Sequence, residues 1–339
     1  MLLLTWWTGY IWSHAAVVLI EAGYDIVILD NLSNSSKEAF DSIQTITWKK
    51  PVFYKADLRD KESIKKVFQE NKINWVIHFA GLKAVWESCD KPYEYYENNV
   101  VGSNNLFEIM EEYNCKNIIF SSTATVYKPT SSIPYTEKTQ TWETTNPYAT
   151  SKYIIENILR DLVNHKGFSV CTLRYFNPIG AHKSGLIGEN PNDIPNNLLP
   201  YIMKVANWEL SELSVFWNNY DTKDGTGVRD YIHVIDLVEA HLMAWRWLEL
   251  EKKEWLFEAI NLWTGWGTSV LEMINITNEV IKGSLPYKVA PRRKWDIWEF
   301  YCDPRKAKKL FWWEAKRTIK EAITDSWNFT QKSKNIFEI

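Results

Sequence analysis

Short apolar runs alternate with amphipathic stretches over the first half of the chain. Leu2-Leu3-Leu4 leads into a turn at Thr5-Trp6-Trp7-Thr8-Gly9, a helical pattern covers Ala15 to Ala22, and a second run, Ile26-Val27-Ile28-Leu29, closes on Asp30. After a polar turn from Asn31 to Ser36 come a helix-like stretch, a strand over residues 51–57 and a charged amphipathic helix over 60–70. Residues 74–81 and 117–122 are apolar, β-branched runs ending in small or hydroxyl residues, the pattern of strands buried on both faces. Residues 94–112 and 146–165 read as helices, and 169–176 as a sixth strand. This alternation predicts a doubly wound parallel sheet, with ligands at the carboxyl ends of its strands. Gly9, Asp30, Asp57, Ala80, Gly81, Ser121, Ser122 and Asn177 collect at those ends. Beyond Asn177 turn-rich segments, 178–197 and 218–227, predict a smaller second domain with a cleft between the two. The expected division is 1–176, with a return segment near 230–262, and 177–339.

Strand, turn, helix, strand and acid is the order of a dinucleotide-binding β-α-β unit. Three glycines in such a unit let the backbone approach a pyrophosphate at a helix N-terminus. Here the three slots, spaced G-x-x-G-x-x-G, hold Trp6, Gly9 and Trp12. Asp30 is placed to bind the ribose hydroxyls of NAD and would repel the extra phosphate of NADP. Tyr148 and Lys152 stand four apart, on one face of a helix. A free phenol titrates near ~10, and a neighbouring ammonium favours its ionised form, so Tyr148 is expected to serve as a base near neutral pH. Taken alone, Y-x-x-x-K is an ordinary exposed helix face; what sharpens it is the run of hydroxyls at Ser121, Ser122 and Thr123 ahead of it. Arg229, Arg292 and Arg293 are the second domain's candidate phosphate clamps, although arginines in turn-rich segments are surface residues by default, as is a loop lysine such as Lys83.

Composition excludes several classes. A net charge of −3 gives no footprint for nucleic acid or an anionic membrane. Four well-separated cysteines argue against a zinc site and a disulfide framework. Leu2 to Leu4 lacks a basic flank, which favours a first strand over a signal peptide, and no apolar run approaches the ~18 residues of a membrane span. One count is abnormal: 19 Trp against 13 Gly, where average usage gives roughly 24 Gly in this length.

Several longer stretches carry a family resemblance. Residues 8–11 (TGYI), 28–33 (ILDNLS), 76–85 (VIHFAGLKAV), 120–127 (FSSTATVY), Asn146-Pro147-Tyr148 with Lys152, 173–181 (LRYFNPIGA), 194–201 (IPNNLLPY), 224–234 (DGTGVRDYIHV) and 290–293 (APRR) are similar to those of the UDP-glucose 4-epimerases, or UDP-galactose 4-epimerases, within the extended short-chain dehydrogenase/reductases. The resemblance implies an α/β fold, a Rossmann-type sheet with a smaller C-terminal α/β substrate domain. It implies an isomerase that interconverts UDP-glucose and UDP-galactose by reversible hydride transfer at sugar C4 to tightly bound NAD. Tyr148 is then the base, Lys152 lowers its pKa and binds the nicotinamide ribose, and Thr123 bonds the reacting oxygen. NAD contacts carry over to Gly9, Tyr10, Ile11, Asp30, Asn31, Asp57, Leu58, Phe79, Ala80, Lys83, Asn98, Tyr148, Lys152 and Phe176. UDP-sugar contacts carry over to Thr123, Asn177, Asn197, Leu198, Phe216, Arg229, Arg293 and Asp296, with Phe300 a candidate gatekeeper beside the sugar. No metal is expected. A cytoplasmic homodimer is, joined through helices near 94–112 and 150–165. Two alternatives stand beside this one: another NAD-dependent nucleotide-sugar epimerase or dehydratase, which Ala124-Thr125 disfavours because a dehydratase needs an acid pair there, and a non-catalytic nucleotide-sugar-binding homologue.

Against the family pattern, Trp6, Trp7, Trp12, Trp86, Trp142, Trp208, Trp217, Trp263 and Trp295 occupy glycine positions, and Trp48, Trp255, Trp298 and Trp312 are read as further ones. Drift would spread glycine losses over several residue types, whereas here one residue takes nearly all of them. The expected origin is the codon UGA, which some bacterial lineages read as glycine and others as tryptophan. Made as written, Trp6 and Trp12 are expected to fill the pyrophosphate cradle and wedge the helix off the sheet.

Overall fold

The apolar runs form the sheet. The computed structural model describes residues 1–6, 9–33, 37–129, 132–191, 195, 197–251, 254–292 and 297–337. The first part of the chain runs β1 (Leu2–Trp6), α1 (Tyr10–Glu21), β2 (Ile26–Asp30), α2 (Lys37–Thr47), β3 (Val52–Lys55), α3 (Lys61–Glu70), β4 (Trp75–His78), α4 (Val85–Asp90), α5 (Pro92–Tyr95), a π-helical stretch (Tyr96–Val101), α6 (Gly102–Glu112), β5 (Asn117–Thr123), a 3-10 turn (Ala124–Val126), α7 (Pro147–Lys166) and β6 (Ser169–Tyr175). It continues through β7 (Asn177–Ile179), α8 (Leu198–Ala206), β8 (Leu213–Phe216), β9 (Val228–Arg229), β10 (Tyr231–His233), α9 (Val234–Glu251), β11 (Leu256–Asn261), β12 (Thr268–Ser269), α10 (Val270–Ile281), β13 (Tyr287–Ala290), β14 (Glu299–Phe300), α11 (Arg305–Phe311) and α12 (Ile319–Phe337).

Seven strands lie in the order β11-β6-β5-β4-β1-β2-β3, all parallel. The strand order reverses at β1, where Leu4 pairs with Ile28 on one side and Ile77 on the other. A crevice opens at the carboxyl ends of the strands at such a switch point. Because successive side chains point to opposite faces, Leu2 and Leu4 enter one core with α1 and α9, while Leu3 enters a second with α3, α6 and α7. This is why the strands read as unbroken apolar runs.

The region read as one helix over 94–112 is three pieces, α5, the π-helical stretch and α6. The region read as turns with shorter elements holds three substantial helices: α9 of 18 residues, α10 of 12 and α12 of 19. A capping box starts α10, in which Ser269 accepts from the Glu272 N–H at 3.0 Å and Glu272 accepts from the Ser269 N–H at 2.9 Å. Helices α8, α10 and α12 enclose a third core against β8. Two elements return to the large sheet: β11 pairs with β6, and α9 packs on α1.

Candidate active site

The centre of the site is where the end of β5 meets the first turns of α7. Asn146 caps α7 by accepting from the Ala149 N–H at 2.9 Å, and Pro147 occupies the first turn, where its missing N–H costs nothing. Tyr148 and Lys152 therefore sit near the helix start on one face. Tyr148 is hydrogen-bonded to Thr123, the last residue of β5. The Thr123 hydroxyl also accepts from the Thr125 N–H at 3.2 Å. Lys152, 4 % exposed, donates to the Ser121 carbonyl at 3.0 Å, with its ammonium 4.9 Å from the Phe120 ring centroid.

Ionisation here differs from the sequence expectation. Burial pushes the Tyr148 phenol up to about 12, and the Thr123 bond offsets only part of that rise. Burial also brings the Lys152 ammonium down to about 7, against the attraction of Glu156. Loss of water disfavours both charged forms, so without ligands the lysine does not ionise the phenol.

The residues expected at the cofactor lie along the carboxyl edge of the sheet. Asp30, fully buried at the end of β2, accepts from the Leu32 N–H at 2.6 Å. Asn31 donates to Asp57 at 2.9 Å. Burial favours a neutral Asp57, but bonds from Arg59 and Asn31 outweigh it and hold the carboxyl at about 2. Leu58 is buried against Gly102, where an added Cβ would meet its own at 3.2 Å. Ala80 is buried, and Phe79 turns its ring onto His241 at 4.8 Å, toward the core. Tyr10 donates to the Gly180 carbonyl at 2.7 Å and Ile11 is buried, so both side chains face protein. Gly9 precedes α1, whose start has no side-chain cap. Lys83 is exposed and 3.3 Å from Glu189.

Three features of this edge fit a dinucleotide. Gly81, at φ 143°, approaches so closely that a Cβ would lie 3.1 Å from Asn99 Oδ1 and 3.3 Å from Lys152 Nζ. The buried Asn98 Oδ1 has no hydrogen-bond partner among the described residues. An uncapped helix start faces the same edge and offers N–H donors to phosphate. The Trp12 indole, 1 % exposed, lies in the core shared by α1, α9 and the sheet, because the third residue of α1 points inward. Trp7 and the Trp6 side chain are outside the described residues.

Residues expected at the substrate come from the second half of the chain. Asn177 opens β7 and donates to the Asp230 carbonyl at 3.3 Å. Phe176, Phe300 and Trp263 form a cluster of rings, with Phe176 5.1 Å from Phe300, 6.4 Å from Trp263 and those two 5.8 Å apart. Phe300 is itself buried, and by register it is paired with Arg229 of β9. Arg229 donates to the Val228 carbonyl at 2.9 Å. Leu198 begins α8, and Phe216 ends β8. Asn197 donates to Glu189 Oε1 at 3.0 Å, the same oxygen that Lys83 approaches at 3.3 Å. One carboxylate thus spans from a residue expected at the cofactor to one expected at the substrate. Arg292 lies over the Tyr220 ring at 5.2 Å; Arg293 and Asp296 are outside the described residues.

Sequence reasoning passed over several buried polar groups. Asn99 holds the Leu82 backbone from both sides, at 2.7 and 3.0 Å, and donates to Ser151 at 3.0 Å. Tyr175 is hydrogen-bonded to Ser121. Glu156 and Arg174 form a buried ion pair. Glu156 follows Lys152 by four residues, so Y-x-x-x-K-x-x-x-E was the available signal. Among the described residues, no helix is long and apolar enough to cross a membrane, and no three His, Cys, Asp or Glu are grouped to hold a metal ion.

A parallel sheet that reverses at β1, an acid ending β2, and threonine, tyrosine and lysine converging at β5 and α7 define a nicotinamide-dependent enzyme of the short-chain dehydrogenase type. More narrowly, the chain belongs to the NAD dependent epimerase/dehydratase family, whose model matches residues 2–258. It is 51 % identical over 335 residues to the UDP-glucose 4-epimerase of Bacillus subtilis (strain 168), covering 98 % of each chain. It is 48 % identical over 333 residues to that of Haemophilus influenzae, again with 98 % of each covered. Among solved structures, the UDP-glucose 4-epimerase of Stenotrophomonas maltophila with bound NAD and formylated UDP-arabinopyranose superposes at a TM-score of 0.95, with 39 % identity over 99 % of both chains. That of Bifidobacterium longum in complex with NAD+ and UDP gives 0.92, with 46 % identity over 99 % of both.

Proposed function

We propose that this chain is a UDP-glucose 4-epimerase, interconverting UDP-glucose and UDP-galactose with Tyr148 as the base. The observation that carries the reading is the Thr123–Tyr148 hydrogen bond at the mouth of a dinucleotide-type sheet, with Lys152 buried behind it, in a chain about half identical from end to end to such epimerases. Bound NAD supplies the acceptor, and then the donor, of the electron pair from sugar C4.

Everything else falls to the side chains. Tyr148 Oη takes the proton of the 4′-hydroxyl and later returns it, while the Thr123 hydroxyl orients that oxygen. Because burial, offset only in part by the Thr123 bond, holds the phenol at about 12, ionisation at neutral pH depends on cationic charge beside it, and Lys152 is the group placed to carry it. Asp30 binds the adenosine ribose and selects against a 2′-phosphate. Asn31, Asp57, Leu58, Lys83 and Asn98 complete that side; Asn177, Asn197, Leu198, Phe216, Arg229, Arg293 and Asp296 hold the UDP-sugar. The working form is a cytoplasmic homodimer paired through α6 and α7.

A coupled assay for UDP-glucose formed from UDP-galactose tests the reading. Wild-type protein is expected to turn over, and Tyr148→Phe to lose at least ~100-fold in kcat. Undiminished turnover by the Phe variant would refute Tyr148 as base, and an inactive wild type would refute the reading.

A further inference from the structure

Tyr148, Lys152 and Glu156 follow one another at four-residue spacing on one face of α7, and each engages a different one of three consecutive residues at the end of β5. Tyr148 is bonded to Thr123, Lys152 Nζ donates to the Ser121 carbonyl at 3.0 Å, and Ser122 Oγ donates to Glu156 Oε1 at 2.6 Å. Glu156 and Arg174 are each 2 % exposed. Arg174 of β6 donates to both carboxylate oxygens, Nε to Oε1 at 2.9 Å and Nη2 to Oε2 at 2.5 Å. Its Nη1 reaches Tyr127 at 3.1 Å, and Tyr127 donates to Asn261 of β11 at 2.7 Å. A buried ion pair is a poor source of stability, because desolvation offsets the attraction, but it fixes geometry.

We propose that Glu156 is a positioning residue for the reaction: clamped by Arg174, it sets the register of α7 on the end of β5 and keeps Lys152 cationic behind Tyr148. The proposal rests on the reading of Tyr148 as base. The groups facing Lys152 are Tyr148 and Glu156 on α7, His78 on β4, the Ser121 carbonyl and Phe120 ring on β5, and Tyr175 and Arg174 on β6. Glu156 alone among them is an anion. Burial drives the lysine toward the free amine, and Glu156 opposes that drift.

Two variants test it, Glu156→Gln and the charge-balanced Glu156→Gln/Arg174→Gln, the second avoiding an unpaired buried arginine. Turnover of UDP-galactose is measured against pH, and the Lys152 ammonium is titrated by NMR of lysine labelled at the ε-carbon. Expected are a fall in kcat of about tenfold with little change in KM, and an alkaline limb and NMR midpoint about half a pH unit or more lower in Glu156→Gln, with a smaller fall in the charge-balanced variant because the Arg174 cation leaves with the anion. Glu156→Asp is expected to restore much of kcat. An unshifted NMR midpoint in both variants would overturn the proposal, whether or not the enzyme turns over UDP-galactose. An inactive wild type would count against the epimerase reading alone.

Eight described residues other than glycine have φ between 53° and 72°, and five of them are tryptophan: Trp48 at 58°, Trp208 at 62°, Trp217 at 72°, Trp255 at 65° and Trp312 at 59°. Three of these end helices. The Trp48 N–H donates to the Gln44 carbonyl at 2.9 Å after α2, that of Trp208 to Val205 at 3.0 Å after α8, and that of Trp312 to Lys308 at 3.1 Å after α11. Gly167 ends α7 in the same left-handed conformation. Glycine is the residue that such a position selects, and an indole is strained there. The three indoles are 90, 82 and 87 % exposed, so packing does not compensate.

We infer that these five positions are glycines in the natural polypeptide, encoded by UGA. The coding DNA and the peptide masses of the natively made protein test this. TGA codons with glycine masses are expected; TGG codons, or tryptophan masses, would overturn it. Independently, Trp48→Gly/Trp208→Gly/Trp312→Gly in the protein made as written is expected to raise Tm, whereas Trp313→Gly lowers it, because Trp313 is buried and donates to the Asp236 carbonyl at 3.1 Å.

Discussion

Lys152 gives the ligand-free protein a pH dependence above neutrality. Lys152 is brought down to about 7 in the fold, whereas an unfolded lysine titrates near ~10.4. Between those values the unfolded chain holds the extra proton, so stability rises with pH over that window. Thermal melts of NAD-free protein are expected to shift upward from pH 7 to 9, and Lys152→Met to flatten the rise. Asp230 works in the opposite sense. Burial raises its carboxyl to about 6 despite bonds from Thr264 and Gly265, so its contribution is full below pH ~4 and lost as pH climbs through 6. Asp230→Asn should remove that loss. The spacing of Tyr148 and Lys152 was enough to put them on one helix face. Glu156 escaped notice because a glutamate four residues after a lysine reads as a solvent-exposed helix pair, and nothing nearby in sequence announces that Arg174 will bury it.

Helix α7 links local sequence to chemistry. Its N-cap lies two residues before Tyr148, so Asn146→Ala is expected to cost about 0.5–2 kcal/mol of stability and to lower kcat more than it changes KM; urea melts and steady-state rates check both. Each glycine restored at a helix-ending tryptophan is expected to return about 1 kcal/mol by relieving left-handed strain, readable in the same melts. The strands were legible because burial on both faces forces unbroken apolar runs: five of the six predicted strands lie within a residue or two of those observed, and the fourth, read over 74–81, ends three residues earlier at His78. The helix over 94–112 was legible as helix but not as three pieces. Its π-helical stretch places Asn98 and Asn99 in the buried interior, and that choice rests on tertiary partners such as Leu82 and Ser151. In the second half, α9, α10 and α12 were hidden because their apolar faces are met by elements distant in sequence.

At the scale of the molecule, the two halves meet where Lys83 and Asn197 share Glu189. That pairing is largely solvent-exposed on the lysine side, so it adds little to stability. Glu189→Gln is expected to leave Tm nearly unchanged and to lower KM for UDP-galactose by removing a carboxylate that competes with ligand phosphates for the same donors; kinetics beside a thermal melt would decide. The family and the sheet could be read from the first residues onward because a β-α-β unit is local. The return of β11 could not be read with the same clarity, since it is defined by a partner, β6, whose residues end about 80 positions earlier.

That return has a bearing on synthesis. The edge strand that completes the large sheet is residues 256–261, and the helix that covers α1 is 234–251. A nascent chain must therefore expose residue 261 of 339 before its first strand can lie in a finished sheet. Until then the apolar face of α1 and the open side of β6 wait uncovered. Ribosome-bound intermediates shorter than this should be the ones that chaperones hold and proteases cut.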